Sequence, residues 1–167
     1  MERVLSCKEV LLFQLDDAWG QVEVATKGIT SEEFYFKPVP KALGPEAALE
    51  EPMPQGVSTI GFKIAHMTLT VLEATNSLKG VGEIGAKELQ KRAPKDFPGW
   101  MELLKETHGA FRQTVLDLPE EEVTSFKKIW GEEFPTWKII VWMADHYSWH
   151  AGQIRTLRAH FEHKSKS

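Results

Sequence analysis

The stretch that decides the fold is Thr136 to Glu162, which reads TWKIIVWMADHYSWHAGQIRTLRAHFE. Its apolar residues recur with the 3.6-residue period of an α-helix, and the predicted buried side consists of Trp137, Ile140, Val141, Ala144, Ile154 and Leu157. Basic residues in its last turns complement the negative end of the helix dipole. The pattern predicts one long helix that starts near Pro135 or Thr136 and ends near Glu162, followed by a flexible tail at residues 163–167.

Three earlier segments have the same periodicity, and we predict helices from Ser6 to about Lys27, from about Thr59 to Lys79, and from just after Asp96 to Leu118. Their start signals are a capping box, an N-cap serine and a first-turn proline: Ser6 with Glu9, Ser58, and Pro98. Because no strand pattern is comparably strong, the sequence predicts an all-α fold, with an antiparallel four-helix bundle as the default. The long connections allow either up-down order or a crossover topology.

Two connections are distinctive. Residues 38–57 contain five prolines and several glutamates, which argue against any regular helix or strand pairing, so we predict a long surface loop between the first two helices. Long loops often cover a site, which makes this one a candidate lid. Residues 120–133 are compatible with an irregular loop or a short extended piece.

Composition limits the class of protein. With 167 residues, 42% hydrophobic and 26% charged, residues 1–167 are predicted to form a single domain that needs neither disulfides nor metal to fold, so a metal would serve chemistry. The net charge of −4 argues against a nucleic-acid partner. The single cysteine, Cys7, suits a reducing, cytoplasmic compartment, and no segment resembles a signal peptide or a membrane span.

Three of the six histidines form a candidate metal site. His146 and His150 lie one helical turn apart on one face, and His66 occupies an interior position of the second helix that is normally apolar. If the two helices are neighbours, three neutral imidazoles converge and leave one coordination position open, as catalytic sites do. Tyr147 stands where a metalloprotease helix would carry its glutamate, so that chemistry is not predicted. The alternative is a chance histidine pair and a core histidine bonded to a polar neighbour.

These residues resemble the DinB-like family of metal-dependent enzymes. The resemblance rests on His146-x-x-x-His150-x-Gly152-Gln153 in the last helix, on Ile64-Ala65-His66-Met67 in the second, and on Phe36-Lys37-Pro38 between the first two helices. It extends from Ser6 to about Phe161. It implies a four-helix bundle with crossover connections, frequent homodimers, and a divalent metal held by His66, His146 and His150, with Zn or Ni favoured over Fe or Mn.

The family resemblance also implies a chemistry. Family members include transferases and isomerases that use the low-molecular-weight thiols bacillithiol or mycothiol. The present sequence departs from the common pattern at Ala151, where arginine is frequent, and in its proline-rich acidic loop. Both departures bear on the identity of the substrate and leave the three ligands in place.

We also predict roles for residues around this site. Gln153, one turn after His150, is predicted either to orient a ligand by a hydrogen bond or to make a helix-packing contact. Glu73 is a candidate base or ligand partner, although a solvated surface carboxylate is favoured. Asp145 is predicted to point away from His146. Four tryptophans most simply fill the core or a dimer face, and otherwise form a pocket beside the metal: Trp19, Trp137, Trp142 and Trp149. The remaining histidines, His108, His160 and His163, are not predicted as ligands.

The sequence therefore predicts a metal-dependent transferase or hydrolase in which the cation activates a thiol or a water against a small-molecule substrate. The thiol version depends on the family resemblance alone. The alternative is a non-catalytic metal-binding or dimerising helical bundle.

Overall fold

The computed structural model describes residues 4–50, 53–82 and 90–166. Within them, four long helices form the body of the molecule: α1 (Cys7–Thr26), α3 (Ile60–Lys79), α4 (Phe97–Asp117) and α5 (Thr136–Ser165). A short helix, α2 (Ser31–Tyr35), follows α1, and a small antiparallel hairpin of β1 (Phe126–Ile129) and β2 (Glu132–Pro135) precedes α5. The predicted all-α fold class is confirmed. No helix of the described residues is long and apolar enough to cross a membrane.

The helix starts follow the capping signals with one exception. Ser6 and Glu9 form the predicted capping box, and the Asp96 carboxylate accepts a hydrogen bond from the backbone amide of Gly99. The prediction that Ser58 caps α3 is wrong, because Thr59 is the N-cap and accepts from the amide of Phe62 at 3.1 Å. Ser58 is instead held in an extended bridge with Leu43, so the helix cannot begin until one residue later.

The bundle has crossover connections. Helix α1 packs mainly against α5, and α3 mainly against α4, while smaller α3–α5 and α1–α4 contacts close the ring. Consecutive long helices α1 and α3 therefore lie on a diagonal, as do α4 and α5. Helices α1 and α5 run in the same direction, since Trp19 contacts Tyr147 and, further along both helices, Arg158 donates to the Ala25 carbonyl. The default of a simple antiparallel bundle is thus wrong, and the crossover order implied by the family resemblance is observed.

Residues 38–57 differ from the predicted surface loop. A 3₁₀ helix, Pro45–Leu49, packs against α3, and four of its five residues are buried. Two backbone hydrogen bonds hold Leu43: its amide donates to the Val57 carbonyl, and its carbonyl accepts from the Thr59 amide, each at 2.9 Å. The prolines exclude an α-helix, but Pro45 at a first helical position is compatible with a 3₁₀ turn whose alanines reach the core. Glu51 and Pro52 lie outside the described residues.

The ambiguous segment 120–133 contains a 3₁₀ helix, Glu120–Thr124, and then the hairpin. Trp130 and Gly131 form its two-residue turn with φ of 53° and 81°. Asparagine or glycine usually occupies the first of these positions, and a large aromatic there is strained. The predicted flexible tail also differs from the structure, because α5 continues as a helix through Ser165.

Candidate metal centre

The structure brings the three histidines together at the contact between α3 and α5. His66 projects from α3, and His146 and His150 project from successive turns of α5. The ring centres are 4.8 Å apart for His66 and His146, 5.1 Å for His66 and His150, and 4.4 Å for the α5 pair. One ring nitrogen of each residue lies within 4.8 Å of those of the other two. Three such nitrogens are spaced closely enough to share one cation.

One nitrogen on each ring is buried without a hydrogen-bond partner among the described residues: His66 Nδ1, His146 Nε2 and His150 Nε2. A buried polar atom normally has a partner, and leaving one unpaired costs about 1–3 kcal/mol. Three such atoms in one cluster indicate a site completed by something other than the chain. Imidazole nitrogen is a good ligand for several divalent transition metals, so the residues present fit a metal ion.

Burial also sets the charge of these rings. The pKa of His66 is lowered to about 4, chiefly by desolvation and then by the nearby Lys63 ammonium. The pKa of His146 is lowered to about 3, chiefly by desolvation, then by His66 and then by Lys63. The pKa of His150 is lowered in the same way, chiefly by desolvation and then by the two neighbouring histidines. All three rings are therefore neutral at pH 7. A neutral ring offers a lone pair, which is the form that binds metal.

Gln153 fixes the orientation of one ring. Its side-chain oxygen lies 2.8 Å from His150 Nδ1, so the ring donates its Nδ1 proton to the amide oxygen. That tautomer leaves the lone pair on Nε2, which is buried and has no hydrogen-bond partner among the described residues. The hydrogen-bonding role considered for Gln153 matches this geometry.

A cavity of about 790 Å³ adjoins the cluster, and His66 and His146 form part of its wall. Its other lining residues are three tryptophans, four smaller apolar side chains, one threonine and three carboxylates: Trp130, Trp142, Trp149, Ala48, Met53, Leu69, Met143, Thr70, Glu50, Glu73 and Asp145. The volume suits a small organic molecule. The histidine cluster therefore lies at the edge of a space large enough for a substrate.

Several residues occupy places other than those predicted. Glu73 is half-buried and accepts a 2.7 Å hydrogen bond from Trp130 Nε1, so it is not a solvated surface carboxylate. Asp145 is exposed, and it also lines the cavity, a position that was not predicted for it. Trp142 and Trp149 line the cavity as well, which favours the pocket alternative over core filling for this pair, whereas Trp137 is exposed.

His108 is a buried histidine that makes its contacts outside the cluster. Its ring stacks on Trp19 at 3.9 Å, and its Nδ1 lies 3.2 Å from the Tyr147 hydroxyl. It is therefore an interhelix residue with a polar partner. His160 and His163 are exposed at the end of α5.

Sequence reasoning missed Trp130, Glu50 and Met53. Trp130 could have been found, because Gly131 follows it, and glycine is common at the second position of a two-residue hairpin turn. Glu50 and Met53 carry no comparable signal. They reach the cavity because the buried 3₁₀ helix that comes just before them packs against α3.

Comparison with known proteins agrees with this geometry. Residues 14–154 match the DinB superfamily. The chain is also similar to the cytosolic alpha-glucan phosphorylase 2 of Arabidopsis thaliana, with 22% identity over 140 residues, or 79% of this chain. The chain spans only 16% of the length of that relative. The superfamily match includes all three histidines and most of the chain, and we conclude that the chain belongs to the DinB superfamily.

Proposed function

We propose that this protein is a metal-dependent enzyme in which His66, His146 and His150 hold a divalent cation at the edge of a substrate cavity. The single observation that carries the proposal is the histidine cluster: each ring has a buried nitrogen without a partner among the described residues, and one ring nitrogen of each residue lies within 4.8 Å of those of the other two. The reaction we propose is a transfer or hydrolysis in which a thiol or a water attacks a small molecule. Zn or Ni suits a site made entirely of imidazole.

Bound there, the cation would supply Lewis-acid chemistry, lowering the pKa of a coordinated thiol or water. Three protein ligands leave a coordination position open, which is the arrangement of catalytic rather than structural zinc sites. The side chains supply the rest. Neutral rings present their lone pairs without first releasing a proton, and Gln153 holds His150 in the tautomer that does so.

The cavity wall determines what can approach. Leu69 and Met143 are buried beside Trp142, and together they present an apolar surface next to His66 and His146. Such a surface displaces water from the approach to the histidines and strengthens electrostatic effects there. A low-molecular-weight thiol and a small electrophile are compatible with the volume.

The experiment compares metal-stripped protein with protein reloaded with Zn, Ni, Fe or Mn. Loss of free thiol is followed with bacillithiol, mycothiol or glutathione and a panel of electrophiles, alongside hydrolysis of activated esters. We expect turnover with at least one metal, and none from His146→Ala under the same loading. His163→Ala, a change at an exposed histidine at the end of α5, serves as the matched control and should retain turnover. Failure of the wild-type protein to take up any divalent metal would refute the proposal.

A further inference from the structure

Among the described residues, the Asp, Glu, Lys and Arg side chains that line the cavity are all acidic. Three carboxylates line it, Glu50, Glu73 and Asp145, and no lysine or arginine of the described residues does. The wall of the protein alone therefore carries negative charge, which attracts cations and repels anions.

The aromatic part of the wall has the same preference. Trp130, Trp142 and Trp149 present indole rings, and the face of an indole attracts a positive charge more strongly than that of any other side chain. The molecule already shows such a contact. The Lys138 ammonium, which does not line the cavity, lies 4.8 Å from the ring centre of Trp142 and at the same distance from that of Phe134.

The residues that line the cavity differ in their solvent exposure, and we call the exposed part of the cavity its mouth. Trp149 is 65% exposed and Trp130 46% exposed, and Glu50 and Asp145 are exposed carboxylates. His66 and Trp142 are less exposed, and His150, behind the wall, is 2% exposed with an unpartnered Nε2. Trp149 also stacks on His150 with ring centres 5.2 Å apart, so the mouth reaches the histidine cluster. A positively charged group can therefore lie at the mouth, between indole faces and carboxylates, while the rest of the ligand extends into the cavity.

The hairpin turn builds part of this mouth. Trp130 adopts a positive φ, which a large side chain rarely does, and two contacts hold its ring over the cavity: the bond from Nε1 to Glu73 and packing at 6.0 Å from Trp142. Trp130 uses its indole N–H for this bond and keeps its ring face available.

From these observations we infer that the cavity takes an organic cation, a small molecule whose ammonium or quaternary ammonium group lies at the exposed mouth. The inference rests on the proposed function, because it names the substrate class of the same site. It disfavours thiols with several carboxylates as the occupant of the mouth.

The test uses three ligands of one shape and different charge: choline, 3,3-dimethylbutan-1-ol and 3,3-dimethylbutanoate. Binding is followed by titration calorimetry and tryptophan fluorescence, in metal-free and in metal-loaded protein. We expect choline to bind about tenfold more tightly than the neutral alcohol in both forms of the protein. The carboxylate, which is itself a metal ligand, is compared in metal-free protein only, where we expect it to bind more weakly than both. In metal-free protein, equal affinities, tighter binding of the alcohol or the carboxylate, or no detectable binding of choline would overturn the inference.

Variants test which side chains cause the preference for choline. Asp145→Asn and Trp149→Leu should each reduce the preference for choline over the alcohol about threefold, whereas Trp149→Phe, which keeps a ring face, should lose less. Glu102→Gln removes an exposed carboxylate from α4, whose residues do not line the cavity, and should leave the preference unchanged. An unchanged preference in both Asp145→Asn and Trp149→Leu would contradict the assignment. If the protein prefers choline but takes up no metal, the proposed function is refuted and this inference stands. If the protein takes up metal but does not prefer choline, this inference is refuted and the proposed function stands.

Discussion

Two groups of aromatic and imidazole side chains each include residues of α5, and they differ in whether their ring nitrogens have hydrogen-bond partners. His108, Trp19 and Tyr147 form a closed group, in which the ring of His108 is stacked and its Nδ1 has a partner 3.2 Å away. His66, His146 and His150 form an open one, in which each ring retains a buried nitrogen without a partner among the described residues. Both groups lower the pKa of their histidines by desolvation. Burial of a histidine therefore does not distinguish the two groups, whereas three unpartnered ring nitrogens in one cluster do.

The comparison predicts opposite effects of removing a histidine from each group. His146→Ala should weaken metal affinity at least 100-fold, roughly 3 kcal/mol, because it removes one of three ligands. The stability of the metal-free protein should change by no more than about 1 kcal/mol, since the lost ring had an unsatisfied buried nitrogen that offset its packing. Competition with a chelating dye measures the first, and urea unfolding of the metal-free protein the second.

His108→Ala is the matched control. It should leave metal affinity within about twofold of wild type and cost about 3 kcal/mol of unfolding free energy, because it opens a cavity beside Trp19 and leaves the buried Tyr147 hydroxyl unpaired. The same two measurements apply. Loss of metal binding in this variant, with the fold intact, would abolish the distinction between the closed and open groups.

The pH dependence of stability sharpens the comparison. Desolvation lowers the pKa of His108 to about 4 from 6.5, against the Asp16 carboxylate, which raises it, and with a smaller lowering by Arg112. The unfolded chain therefore binds a proton below pH 6.5 that the folded chain refuses until about pH 4, and stability falls as the pH falls through this window, by up to about 3 kcal/mol.

Metal-free wild type and metal-free His108→Phe isolate this effect, because the other three buried histidines are common to both. Urea unfolding at several pH values should show the wild-type protein losing stability relative to the variant between pH 6.5 and 4. A constant difference between the two proteins across that range would show that His108 is not the residue that resists protonation.

A smaller effect is expected at Gln153. Replacing it with leucine removes the acceptor for His150 Nδ1, so the ring is free to take the tautomer that places a proton on Nε2. Partners of this kind typically contribute 10–100-fold to metal affinity. Gln153→Leu should weaken metal binding by that factor, and Gln153→Glu, which keeps an acceptor, should retain most of it; equal losses in the two variants would mean that the hydrogen bond is not the cause.

Sequence reasoning predicted the local features better than the long-range ones. The four long helices follow from periodicity and from caps such as Ser6 and Asp96, which act within one turn of the chain. The convergence of His66 with the α5 pair required that α3 and α5 be neighbours, and helix periodicity does not determine which helices touch. The His-x-x-x-His spacing and the family resemblance indicated the three residues, while their unpartnered nitrogens could be seen only in the structure.

The errors have physical causes as well. The prolines in residues 38–57 correctly indicated irregular backbone. The burial of this segment depends on Ala47, Ala48 and Leu49, which pack against α3, and the proline content does not indicate that contact. Glu73 looked like a surface residue because its partner, Trp130, is separated from it by 57 positions. Asp145 reaches the cavity because the wall extends around α5 beyond the face that carries His146.

The most direct test of the open group is X-ray absorption spectroscopy at the zinc edge, on untagged protein reloaded with one equivalent of zinc. We predict one zinc per chain with three imidazole ligands at about 2.0–2.1 Å, completed by a non-protein light atom. His146→Ala should show fewer imidazoles, and His108→Ala the same three. A wild-type spectrum with one imidazole or none, or no retained zinc, would contradict the central claim that the three unpartnered nitrogens form a metal site.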